Sequence, residues 1–129
     1  MLYVNSVGNT RRKSDHYDQV WLIVQSPDRA RDLLDNPKFK WVPDLSPTKS
    51  LFLDHLKWRK SGNWNLSVFQ NYYKPRFLSG LRNKVSMDKV SELKELIKTQ
   101  DICIACYCDN ESLCHRSIVN DIVNNRIIL

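Results

Sequence analysis

The stretch ICIACYCDNESLCHRSIVNDIV, residues 102–123, decides how the rest of the chain reads. Its first five residues, Ile102-Cys103-Ile104-Ala105-Cys106, are an unbroken apolar run of strand length, the kind buried in a sheet covered on both faces. Near its end Ile118, Val119, Ile122 and Val123 recur at helical spacing, and Asn124-Asn125 stops that helix. The segment from Tyr107 to Leu113 must loop between them. Strand, loop and helix in that order are the grammar of an α/β sheet.

The same grammar extends upstream. Val20-Trp21-Leu22-Ile23-Val24 reads as a second buried strand, and the alternating residues from Leu2 to Val7, closed by Gly8-Asn9, as a third. Ser26-Pro27-Asp28 carries cap, first-turn proline and an acid for the helix dipole, which predicts a short helix through Leu33-Leu34 before Asn36-Pro37 stops it. Ser46-Pro47 repeats the signal ahead of Leu51-Phe52-Leu53 and Leu56. Asn65 caps a further helix bearing Leu66, Phe69, Tyr73 and Phe77, which Pro75 kinks or restarts. From Ser86, Met87, Val90, Leu93, Leu96 and Ile97 make an apolar stripe opposite Lys89, Glu92, Lys94, Glu95 and Lys98.

With 129 residues, 42% of them hydrophobic and 26% charged, the chain is the size of one domain with a real core. The expected fold is a single compact three-layer α/β domain over residues 1–129, a mostly parallel central sheet flanked by helices. No apolar run approaches the roughly 20 residues that span a membrane, and Met1 to Ser6 lacks the pattern of a secretory signal, so the expected location is cytoplasmic. Four cysteines, at 103, 106, 108 and 114, crowd into twelve residues, unlike the dispersed staples of a secreted scaffold. A net charge of +6 and a pI near 9.3 favour anionic partners: nucleic acid, nucleotide or phosphate.

This reading puts Cys106 at the carboxyl end of a strand and Cys114-His115-Arg116 at the amino end of the next helix. Ligands of open α/β sheets bind outside strand carboxyl ends, and a helix amino terminus offers N–H groups and a positive dipole to an anion. The strand ending in Cys, followed by a loop and Cys-His-Arg opening a helix, resembles the carboxyl-terminal signature of the family called domain of unknown function 488. WLIVQSP (21–27), DLSPTKSLF (44–52) and FQNYYKPRF (69–77) are similar to upstream stretches of that family. The resemblance implies a compact α/β domain and carries over Cys106, Cys114, His115 and Arg116. The chain departs from the family at Cys108, where an acid often stands, and at Gln25, about where an Arg is often found.

Four readings of the motif stand open. In the first, Cys106 or Cys114 is a nucleophile, His115 moves protons and Arg116 with the helix N–H groups holds an anion. Cys106 has nine residues before Arg116 and Cys108 seven, so the five-residue loop of a cysteine phosphatase does not apply. Successive helical residues point about 100° apart, which favours Cys106 or Cys108 over Cys114 as the partner of His115. In the second, Cys106, Cys108, Cys114 and His115 hold zinc, against which stand the tight spacing and the adjacency of Cys114 and His115. The third is anion binding without chemistry, and the fourth is packing alone, which fits Cys103 best.

From Lys49 to Lys84 basic residues interleave with aromatic ones, as in sequence-tolerant nucleic-acid binders. Trp58 and Trp64, flanking Arg59-Lys60-Ser61-Gly62-Asn63, are placed at the mouth of a pocket. His16 and His55 are read as ordinary surface or edge residues. The candidate site is therefore catalytic Cys106, Cys114 and His115, anion-binding Arg116, Arg59 and Lys60, and pocket-lining Tyr107, Cys108, Trp58 and Trp64, with no metal and no cofactor. Its expected partner is a phosphate-bearing small molecule or a nucleic acid, with no membrane contact. The alternative is a non-catalytic nucleic-acid-binding module built on residues 49–84.

Overall fold

The computed structural model describes residues 1–108 and 110–129. Four strands, β1 (Leu2–Ser6), β2 (Gln19–Leu22), β3 (Phe39–Trp41) and β4 (Ile102–Cys106), form a wholly parallel sheet in the order β1-β4-β2-β3. All five residues of β4 are buried, so both faces of the sheet are covered at its centre, as its unbroken apolar sequence requires. The three-layer α/β expectation holds. The edge strands β1 and β3 are partly exposed, and β3 pairs over only three residues. Its sequence, Phe39-Lys40-Trp41, is too short to show a period and was not foreseen.

Six helices form among the described residues, four of them opened by a side-chain cap, and the first takes in Gly8-Asn9, read above as the close of a strand. They are α1 (Val7–Lys13), α2 (Lys49–Lys60), α3 (Leu66–Val68), α4 (Lys74–Gly80), α5 (Lys84–Leu96) and α6 (His115–Val123). Asn65 caps α3 as read, its side chain accepting from the Val68 N–H at 3.0 Å. A π-helical turn, Phe69–Tyr73, joins α3 to α4 immediately before Pro75, where a widened turn absorbs the hydrogen bond that proline cannot donate. α6 buries Ile118, Val119, Ile122 and Val123, and Asn125 ends it in the left-handed region at φ 62°.

Three helix starts differ from expectation. Residues 26–30 turn without forming a helix: the Asp28 carboxylate is bound by Arg31, and Ala30 leaves helical backbone at φ −140°, so only a 3-10 segment, Arg31–Asp35, follows. α2 is capped by Thr48, which accepts from Leu51 N–H, and Ser46 lies before the helix, its hydroxyl donating to the Pro43 carbonyl at 2.6 Å. Asn83, and not Ser86, caps α5. Ser86 is buried and donates to the Asp44 carbonyl at 2.7 Å, fastening α5 to the turn before α2. Val90 and Leu93 carry the buried stripe of α5, whereas Met87 lies 43% exposed.

No helix is long and apolar enough to cross a membrane among the described residues. Ile104→Ala, at a fully buried position of β4, is expected to cost about 2–5 kcal/mol in urea unfolding. Met87→Ala is expected to cost no more than about 0.5 kcal/mol, and an equal loss at both positions would contradict this core.

Candidate functional site

Beyond the carboxyl end of β4 the chain opens a cavity of about 350 Å³. Three segments line it. The β4–α6 junction supplies Cys106, Tyr107, Cys108, Leu113, Cys114 and His115; the turn after β2 supplies Gln25, Ser26, Asp28 and Arg29; α2 supplies Phe52, His55, Leu56 and Arg59. Tyr73 of the π turn closes one side. The wall is largely apolar, with sulfur, imidazole and guanidinium set into it.

Sequence dictates the convergence of the sulfurs. Cys106 is the last residue of β4, and Cys114 is the N-cap of α6, so the loop between them returns the chain to the place it left. Cys114 makes no capping hydrogen bond, which leaves its thiol for the cavity floor. Cys106 and Cys114 are each 1% exposed, and their Sγ atoms lie 2.7 Å apart. Cys108 is only half-buried and brings a third sulfur to the same cavity.

His115 faces Cys114 and not Cys106 or Cys108: Nδ1 is 3.6 Å from Cys114 Sγ. The 100° rule misleads here because Cys114 has extended backbone, φ −127° and ψ 146°, and only His115 is helical. Nε2 lies 2.6 Å from the Ile23 carbonyl, which only accepts, so Nε2 carries the hydrogen and Nδ1 presents its lone pair to the Cys114 thiol. Burial lowers the His115 pKa and leaves the ring neutral, the Ile23 hydrogen bond opposing.

Hydrogen bonds with Cys106 and then Cys114 hold the Cys108 thiol far below the ordinary thiol range, with burial opposing. The same contact with Cys108 pushes Cys106 up to about 12, and Cys114 is pushed up by its hydrogen bonds with Cys106 and Cys108 and by burial. Among the three neighbouring thiols the lowered pKa thus falls on the most exposed sulfur, and the two buried ones are pushed up. Cys103 stands apart, fully buried in β4, and burial pushes it up to about 12.

Other expected site residues are placed differently. Arg116 is 3% exposed and does not line the cavity. Its Nη1 donates to the carbonyls of Cys108 (2.7 Å) and Asn5 (3.1 Å) and to Cys106 Sγ (3.5 Å), so it organises the loop from behind. Trp58 and Trp64 do not line the pocket mouth: they stack on each other at 6.0 Å, and Trp64 meets His55, Phe69 and Tyr73 edge-on or tilted. Lys60 is exposed at the end of α2, away from the lining, while Arg59 does line the cavity. His16 is exposed as read, but His55 is 8% exposed and part of the lining, with its pKa lowered by burial.

Arg29 was not foreseen. Its guanidinium sits 4.6 Å over the Tyr107 ring, whose hydroxyl donates to the Ser26 carbonyl, and this fixes the cation at the cavity. Neither Arg29 nor Arg59 belongs to an ion pair among the described residues. A cation on the turn after a strand carries no local motif, and only the fold brings it to the cysteines.

Among the described residues, Cys106, Cys114 and His115 are the group whose donor atoms fall within a metal's reach, all within 4.8 Å of one another. Two thiolates on one tetrahedral zinc stand about 3.8 Å apart, given Zn–S bonds of about 2.3 Å. At 2.7 Å the sulfur pair is closer than a shared ion would hold it.

Two buried neutral histidines make stability depend on pH. Their folded pKa lies below the unfolded value of about 6.5, so their contribution is complete above that pH and is lost as the pH falls from there through the folded value. The urea midpoint is expected to drop between pH 7.5 and 5.5, and His115→Gln to make that drop shallower. A midpoint that rises toward pH 5.5 would contradict neutral, buried rings.

The model of one protein family, described as the active DUF488-N3 subclade, matches residues 2–127. Comparison with the curated proteins gives no match, and comparison with the solved structures gives none. That match takes in the strand, loop and helix that frame the cavity, and the chain belongs to the DUF488 family.

Proposed function

We propose that the protein is a thiol-dependent enzyme acting on a small anionic ligand, with Cys108 as its nucleophile. The observation that carries this reading is one cavity lined by three cysteines, of which only Cys108 is partly exposed, with its pKa lowered beside the other two. Cys106 and Cys114 take the role of hydrogen-bond partners that stabilise the thiolate, in place of the direct attack expected of them. His115 holds Cys114, and Arg116 holds Cys106 and the Cys108 carbonyl.

Substrate chemistry follows from the remaining lining. Arg29 and Arg59 offer two cations to a phosphate or carboxylate, the role first read onto Arg116. Phe52, Leu56 and Leu113 accommodate an apolar body. Cys108 Sγ bonds to the electrophilic atom, and the leaving group departs with the electron pair and takes a proton from water at the cavity mouth. Such a set of free thiols fits a reducing compartment, which supports a cytoplasmic location.

Alkylation of native, reduced protein, mapped by mass spectrometry, tests the reading. Cys108 is expected to react at a rate nearly flat from about pH 6 to 8, whereas an ordinary thiol with a pKa of about 8.5 accelerates about tenfold per unit. Cys108→Ser should remove that reactivity. Fast labelling of Cys106 or Cys114 instead, or ordinary pH dependence at Cys108, overturns the assignment.

A further inference from the structure

The contact between Cys106 and Cys114 exceeds what a hydrogen-bonding role for two buried thiols requires. Their Sγ atoms are 2.7 Å apart and unbonded, shorter than the about 3.5–4.0 Å of a nonbonded carbon contact and longer than the about 2.05 Å of a disulfide. Both are 1% exposed, and an incoming molecule meets them by way of the cavity that they line together with the more exposed Cys108. Seven residues separate the two in sequence.

We propose that the three cysteines form a thiol–disulfide relay that reduces a small anionic disulfide, with Cys108 as the entry thiol and Cys106–Cys114 as the pair that closes. The proposal rests on Cys108 being the nucleophile, and it names sulfur as the atom attacked. Arg29 and Arg59 line the cavity that receives the ligand and suit the carboxylates or phosphates of such a disulfide.

The chemistry balances in three exchanges. The Cys108 thiolate attacks one sulfur of the ligand, forming a mixed disulfide and expelling the first ligand thiolate, which takes a proton from water. Cys114 then attacks Cys108 Sγ, giving its proton to the His115 Nδ1 lone pair and on to solvent, and the second ligand thiolate leaves and takes a proton from water. Cys106 attacks Cys114 Sγ in the last step, releasing its proton to solvent, forming Cys106–Cys114 and expelling Cys108 as the thiolate. The ligand gains two electrons and two protons and becomes two thiols; the protein loses two electrons and gains one disulfide, which an added dithiol reductant reverses.

Burial of the product pair gives the relay its direction. Cys108 remains at the cavity with its charge, while the new bond sits where two protonated sulfurs already touched. Cys103, whose thiol lies 3.6 Å from the Ile104 carbonyl within β4, takes no part.

Oxidised glutathione is the probe, added in excess to reduced full-length protein. The expected result is two thiols released per chain, a product lighter than the reduced chain by two hydrogens, and a Cys106–Cys114 link on peptide mapping. The double variant Cys106→Ser/Cys114→Ser should release one thiol and stop as a glutathione adduct on Cys108. A wild-type chain that also stops at that adduct, with Cys108 still alkylating fast, overturns the relay while leaving Cys108 as the nucleophile. So does a reduced chain that holds zinc through Cys106 and Cys114 and resists exchange. If Cys108 neither alkylates fast nor exchanges, the underlying reading fails with it. The wild-type stoichiometry decides the matter even if the double variant does not fold.

Discussion

The buried guanidinium of Arg116 is the contact on which the site depends. From the first turn of α6 its Nη1 reaches the end of β1 at the Asn5 carbonyl, the end of β4 at Cys106 Sγ and the loop at the Cys108 carbonyl. A cation 3% exposed is costly to bury, and hydrogen bonds to two carbonyls and a sulfur offset that cost. In return β1, β4, the loop and α6 are held to one geometry. The position of Cys108 at the cavity is a consequence, since its own carbonyl is among the atoms fixed.

A second, independent clamp acts on Cys114. His115 cannot turn away, because its Nε2–H is bound to the Ile23 carbonyl at the end of the β2 segment, and so Nδ1 stays on the sulfur. Phe77 packs against the same ring at 5.4 Å, excluding water and keeping the imidazole neutral. Cys-His-Arg thus sets three groups in one geometry: a sulfur, a ring that orients it, and a cation that orients the strand and loop beside it.

Much of this was legible from the order of the chain. The continuous apolar run at 102–106 and the stripe at 118–123 placed the motif at a strand–loop–helix junction, and burial of both faces of β4 bears that out. What local pattern could not reveal was direction. Arg116 reads as an anion anchor in sequence because nothing there says that its side chain points into the sheet. Arg29 and His55 reach the cavity only through tertiary packing, from a turn and from the middle of a helix with no motif around them. Trp58 and Trp64 read as pocket walls because a turn separates them, yet that turn folds one ring onto the other and the pair packs beside the core. The displaced helix starts have a positional cause: α2 begins at Lys49, past Ser46, and α5 at Lys84, before Ser86, which places Thr48 and Asn83 at the caps.

The central claim is that folding produces one thiolate in a cluster of three sulfurs. Titrating reduced, native protein by the ultraviolet absorbance of the thiolate tests it most directly, with the unfolded chain as reference. The account predicts one equivalent already ionised near pH 6, followed by a gap, with the remaining thiols ionising only above the ordinary thiol range of about 8.5. Four thiols ionising together near that ordinary value in the folded protein would contradict it.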